Sequence, residues 1–164
     1  MRLKKNKVFI VAEIGNNHEG KLLNAYRLID KAKEAGVDAV KFQTFNLKKF
    51  YSSDTDKKKI KRLNQFRLSY DSVIKLSKYA KKLGLVFFST PLDEESAVFL
   101  NKIQNIFKIS SGDNDFYNLI EKILTFNKPI IISTGMLDFK GIKKLYQFIK
   151  KKNFKNQICF LHCV

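Results

Sequence analysis

"VDAVKFQT", residues 37–44, is an apolar run of β-forming residues with a lysine inside it and two polar residues at its end. Lys41, between Val40 and Phe42, must reach the strand's end or find a buried partner, because a desolvated ammonium without one is costly. Upstream, Leu22, Ala25, Tyr26, Ile29 and Ala32 recur at helical spacing until Gly36 stops them. Upstream again, Val8–Ala12 is a short β-rich run that Glu13 closes. Strand, helix, strand is the smallest parallel α/β unit, and the rest of the chain repeats it.

Downstream, Val73, Leu76, Ala80 and Leu83 mark a helix ended by Gly84, and "LVFFST" (85–90) follows as a strand. Ala97, Leu100 and Ile103 precede "IFKIS" (106–110), and Ile120, Ile123 and Leu124 precede "KPIIIST" (128–134). Ile142, Leu145, Tyr146 and Ile149 precede "QICFLHCV" (157–164). The pattern predicts about six parallel strands alternating with five helices, in a sheet covered on both faces or closed on itself. Residues 45–70 break the rhythm as a long connection with "SSDTDKKK" (52–59) at its tip, and the charge run 57–62 reads as solvated.

The strand ends decide between the two arrangements. Glu13, Lys41–Thr44, Ser89–Thr90, Lys108 with Ser110–Asp113, and Ser133–Thr134 load five successive C-terminal ends with polar groups. A doubly wound sheet concentrates its site at one switch point, whereas a barrel rings its mouth with strand ends. The expectation is an α/β fold, a partial (β/α)8 TIM-type barrel whose strands curve without closing.

Composition sets the bounds. A chain of 164 residues with 45% hydrophobic and 29% charged residues suits one globular domain. No apolar run approaches the ~20 residues of a membrane span, and the basic start is followed by too few apolar residues for a signal peptide, so the expected location is cytoplasmic. Cys159 and Cys163, four apart on one strand, lie about 13 Å from each other at ~3.3 Å per residue and cannot bridge, so reduced core thiols are expected. Thirty-two Lys+Arg against 15 Asp+Glu give +17, a charge that attracts polyanions. The lysines are spread over nearly every polar segment, however, and no RRM, KH or zinc-finger signature occurs, so no specific nucleic-acid partner is expected.

Lys41 and Lys108, each among apolar neighbours at a strand end, are the sharpest candidates. With Ser89, Thr90, Ser111 and Ser133 they would form a cationic, hydroxyl-rich pocket for phosphate and carboxylate; the bland alternative is two ion pairs, with Glu13 and Asp113. "SSGD" (110–113) and "STG" (133–135) each place a glycine where backbone N–H groups can face an anion. Asp93 reads as a helix N-cap and Pro91 as a turn residue. His18 and His162 read as structural, and no HExxH, CxxC or Walker sequence is present.

"VAEIGNNHEG" (11–20), "AGVDAVKFQTF" (35–45), "STPLDEESAVFL" (89–100), "FKISSGDNDFYNLIEKI" (107–123), "KPIIISTGM" (128–136) and "LHCV" (161–164), in this order, resemble the N-terminal barrel of the sialic acid synthase family. Its members include N-acetylneuraminate, legionaminate and pseudaminate synthases. The resemblance implies a transferase of carbohydrate biosynthesis that condenses phosphoenolpyruvate with an N-acetylated hexose, giving a nonulosonic acid and phosphate. It implies that Lys41, Thr90, Lys108, Ser111 and Ser133 hold phosphoenolpyruvate or its phosphate. It implies catalytic roles for Glu13, at the sugar, and for Asp113, where many members carry glutamate to handle a proton or orient water. A divalent metal, usually Mn2+, is implied as cofactor, but the family's ligating histidines lie beyond "LHCV", so no metal ligand is assigned in this sequence.

Residues 1–164 thus correspond to the N-terminal part of such a barrel, without its last strands or the family's antifreeze-like C-terminal domain. The expectation is a chain inactive in isolation, or half of a split enzyme, that self-associates or joins a complementing C-terminal polypeptide. Two other readings stand beside it: a class I aldolase-type barrel using Lys108 or Lys41 as Schiff-base nucleophile, and a basic protein binding RNA or an acidic partner.

Overall fold

In a computed structural model, residues 8–47 and 57–163 are described, apart from the side chains of Lys57, Lys59 and Arg62. The expected loop tip at 52–59 therefore lies mostly outside the described residues. Two compact units divide the chain, Met1–Gln104 and Asn105–Val164.

In the first unit, β1 (Val11–Gly15), β2 (Ala39–Thr44) and β3 (Val86–Pro91) form a parallel sheet in the order β1-β2-β3. Helix α1 (Leu22–Glu34) connects the first two strands and buries Ala25, Ile29 and Ala32. It ends where Gly36 takes φ +77°, a conformation that glycine adopts without a side-chain penalty. Helices α2 (Lys57–Gln65) and α3 (Tyr70–Lys82) precede β3, and α4 (Glu94–Asn101) follows it. The N-cap of α3 is Ser69, whose hydroxyl accepts from Ser72 N–H at 3.2 Å, and Val73, Leu76 and Ala80 are its buried apolar stripe.

In the second unit, β4 (Phe107–Ile109), β5 (Ile130–Ser133) and β6 (Ile158–Leu161) form another parallel sheet in the order β4-β5-β6. Helix α5 (Tyr117–Thr125) buries Leu119, Ile120, Ile123 and Leu124; α6 (Phe139–Lys151) buries Leu145 and Ile149. A 3-10 turn, Ser111–Asp113, follows β4 directly. Strands β4 and β5 are buried throughout, and β2 apart from half-buried Gln43, in keeping with their largely apolar sequences.

Several expectations need correcting. The six parallel strands are paired in two sets of three. In the first unit, the Ser89 N–H and C=O are both taken by the Gln104 side chain, at 2.7 and 3.1 Å. The first strand runs from Val11 to Gly15, not Val8–Ala12, and Val8 and Ile10 are exposed. Pairing with β2 sets its limits: Glu13 stands opposite Lys41, and a bulge follows before Gly15 meets Phe42. Upstream, the Asp38 carboxylate takes the Ile10 N–H at 2.8 Å. The long connection contains α2, so the described residues hold six helices rather than five. Pro91 ends β3 opposite Thr44 rather than forming a turn; a strand terminus tolerates a residue without an N–H. Cys159 and Cys163 are free but half-buried, not core.

Candidate anion-binding site

Lys41 sits on the middle strand of the first sheet, 3% exposed. Its ammonium pairs with Glu13 Oε1 at 2.8 Å and donates to Thr90 Oγ1 at 2.8 Å and to the Phe42 carbonyl at 3.3 Å. Burial pulls its pKa below the usual lysine value, and Glu13 partly offsets this. Thr44 and Ser89 share a hydroxyl hydrogen bond of 2.7 Å in the same buried region. The structure therefore brings Glu13, Lys41 and Thr90 together, and the ion pair expected of Lys41 is present.

Lys108 repeats the local arrangement in the second unit. Its ammonium donates to the carbonyl of the next residue, Ile109, at 2.8 Å and to Ser133 Oγ on the neighbouring strand at 2.6 Å. Both lysines are thus held by the following carbonyl and by a hydroxyl from the next strand of their sheet. Such oxygens orient an ammonium without neutralising it. The lysine-and-hydroxyl pocket expected from the sequence divides accordingly, with Lys41, Ser89 and Thr90 in one unit and Lys108, Ser111 and Ser133 in the other.

Asp113 accepts a hydrogen bond from the Ser110 hydroxyl. Burial pushes its carboxyl above the usual aspartate value, opposed by the Ser110 bond and the Lys108 charge. A carboxyl raised in this way holds a proton more readily than a surface aspartate, as a proton-handling group requires. Ser111 lies against the end of β5, where a Cβ on Gly135 would come within 2.7 Å of its Oγ.

Two residues join this cluster that sequence reasoning missed. Asn114, 3% exposed, donates from its amide to the carbonyls of Gly135 at 2.9 Å and Ser133 at 3.3 Å, tying the "SSGD" turn to the "STG" turn. The Cys163 thiol is lowered chiefly by a hydrogen bond with Ser133. An asparagine after a glycine turn reads as loop punctuation, and only the fold supplies the distant carbonyls.

His18 lies in the turn after β1, fully buried and stacked on Phe42 at 5.9 Å. Its Nδ1 accepts the Gly20 N–H at 3.0 Å, so Nε2 carries the proton; that atom is buried without a hydrogen-bond partner. Desolvation lowers its pKa below 6.5, partly opposed by the Gly15 carbonyl. Protonating Nδ1 would cost the Gly20 bond and bury a charge. The unfolded chain therefore takes up the proton first as pH falls. His18 contributes stability that is present above about 6.5 and lost as pH falls through the lower folded-state value. Asp113, with its raised value, acts in the opposite sense: its contribution is present below 3.8 and lost as pH rises through the folded value. The expected result is a thermal midpoint that drops on mild acidification in the wild type but not in His18→Asn, which keeps an acceptor and does not titrate. Parallel pH profiles would show that His18 is not the group concerned.

For a metal, the described residues offer no group of three or more His, Cys, Asp or Glu. His18 is sealed, and His162 lies exposed after β6.

Comparison with known proteins gives the arrangement a lineage. The N,N'-diacetyllegionaminic acid synthase of Campylobacter jejuni is 36% identical over 171 residues, covering 96% of this chain and 51% of that protein. The human N-acetylneuraminate-9-phosphate synthase is 35% identical over 167 residues, covering 94% and 46%. A crystal structure of N-acetylneuraminic acid synthetase from Leptospira borgpetersenii, in complex with citrate, superposes with a TM-score of 0.90 at 30% identity, covering 100% of this chain and 59% of that one. The chain spans about half the length of the curated relatives it matches. Residues 28–164 match the NeuB family, with both buried lysines and Ser133 inside the match, and the chain belongs to that family.

Proposed function

We propose that this chain is the N-terminal part of a phosphoenolpyruvate-dependent synthase that condenses phosphoenolpyruvate with an N-acetylated hexose, giving a nonulosonic acid and phosphate. The observation that carries the reading is the repeated buried lysine, Lys41 with Thr90 and Lys108 with Ser133, each within a parallel strand and bonded to a hydroxyl of the next strand of its sheet. A buried ammonium is suited to phosphate and carboxylate oxygens. In this reading Lys41, Thr90, Lys108, Ser111 and Ser133 bind phosphoenolpyruvate, Glu13 meets the sugar, and Asp113 holds or releases a proton.

The strands belong, on the same reading, to a partial TIM-type barrel, with the remaining barrel strands and the Mn2+ ligands supplied from outside residues 1–164. A complementing polypeptide or a second copy is the expected partner. Among the described residues no helix is long and apolar enough to cross a membrane, in keeping with a cytoplasmic enzyme acting on small molecules.

Titration calorimetry with phosphoenolpyruvate tests the reading. Removing the ammonium in Lys108→Ala is expected to weaken binding about ten- to hundredfold, since each charge-assisted contact contributes ~1.5–3 kcal/mol. Equal affinities in wild type and variant would make Lys108 a structural lysine.

The lowered pKa of Lys41 favours one second reading, the class I aldolase, because a less basic amine is a better Schiff-base nucleophile. Borohydride reduction in the presence of pyruvate separates the two. A covalent adduct at Lys41 supports the aldolase, and its absence the synthase.

A further inference from the structure

Lysine has three N–H donors, and those of Lys41 meet three oxygens: Glu13 Oε1, Thr90 Oγ1 and the Phe42 carbonyl. An incoming anion can bond this ammonium only by displacing one of them. The three are not equally free to leave. Phe42 and Thr90 are fully buried and fixed by the β2–β3 ladder, in which Gln43 stands opposite Thr90. Glu13 is different. Its side chain is 59% exposed against 4% for Lys41, and it stands beside the bulge before Gly15. Its carboxylate can swing to water without breaking a ladder bond.

We propose that Glu13 is the resident anion of the Lys41 site, occupying the place that a ligand's phosphate or carboxylate oxygen takes and released to solvent when that ligand binds. This deepens the reading above and rests on it. The exchange makes Glu13 a specificity-determining residue. A monocarboxylate would merely replace one carboxylate with another at Lys41, for little net gain. A phosphate dianion brings more charge to the same ammonium and wins the exchange. Glu13, once released, is then free to accept hydrogen bonds from a hydroxyl-rich second substrate, so the bound anion decides when that acceptor becomes available.

Calorimetry on the 164-residue chain with inorganic phosphate and with pyruvate tests this, using wild type, Glu13→Gln and Lys41→Met. Removing the competing charge is expected to tighten both anions in Glu13→Gln by about fivefold, the upper range for a half-exposed ion pair, with pyruvate gaining at least as much as phosphate. Lys41→Met is expected to lose binding of both. A carbon-13 titration of the wild type needs no variant: the Glu13 carboxyl resonance should shift as phosphate saturates. If Lys41→Met loses binding but Glu13→Gln is no tighter than wild type, the resident-anion role is overturned and the anion site stands. An unmoved Glu13 resonance under saturating phosphate has the same meaning. Phosphate binding indifferent to Lys41→Met, or absent from every protein, overturns the site itself.

Discussion

Gly20→Ala should unfold at a much lower denaturant concentration than wild type, with a loss of at least ~4 kcal/mol. Gly20 has φ +72°, where a side chain costs roughly 1–2 kcal/mol by itself. The larger cost is steric. A Cβ at Gly20 would lie 1.8 Å from the Gln65 carbonyl oxygen and 2.9 Å from its carbon. These are backbone atoms at the end of α2, so no rotamer change relieves the clash; the helix end must move. Gly36→Ala is the matched comparison, since Gly36 has φ +77° but nothing within 4 Å of the added atom. It should lose only the conformational part, about 1 kcal/mol. Equal losses in urea titrations of the two variants would mean that the Gln65 approach carries no weight.

Asp93→Ala should lose about 3 kcal/mol. The Asp93 side chain is 3% exposed and accepts from Ser96 N–H at 2.8 Å, Ser96 Oγ at 2.8 Å and Asn46 N–H at 2.7 Å. The first of these is the N-cap of α4, worth ~0.5–2 kcal/mol. The Asn46 bond reaches from α4 to the chain just after β2, and an orphaned N–H there adds ~1–3 kcal/mol. This carboxylate therefore joins the ends of β2 and β3, the strands that carry Lys41 and Thr90. Asp93→Asn, which keeps one acceptor oxygen, should lose distinctly less in thermal unfolding. Identical losses would show that volume rather than hydrogen bonding decides the site.

The cap at Asp93 was legible because its signal is local: an aspartate before a helical apolar pattern, with the bonded N–H three residues on. The strands were legible for a related reason. Buried parallel strands carry short apolar runs, and the polar residues set in or after those runs mark Lys41, Thr90, Lys108 and Ser133. What failed was whatever depends on a distant partner. The first strand was placed three residues early because its limits follow its pairing with β2, not its hydrophobicity. Helix α2 escaped notice because Ile60 and Leu63 stand nearly alone among lysines, too few for a visible apolar stripe. Asn114 bonds to backbone carbonyls some 20 residues away, and nothing in its own neighbourhood tells of them. Glu13 was read as ending its strand and as a group for the sugar. That it lies within the strand follows only from the ladder register, whereas its pairing with Lys41 is an alternative the sequence itself offers.

Gln104 has a consequence beyond the sheet it completes. Its amide accepts from Ser89 N–H and donates to Ser89 C=O, the two bonds that a neighbouring strand would make at that point. A side chain buried to 1% exposure thus stands in for a strand. Open sheet edges recruit extended segments from other molecules, the first step of aggregation and strand swapping. At Ser89 such a segment meets hydrogen-bonding groups that are already satisfied, and a one-residue stopper of this kind interrupts any intermolecular ladder growing along β3.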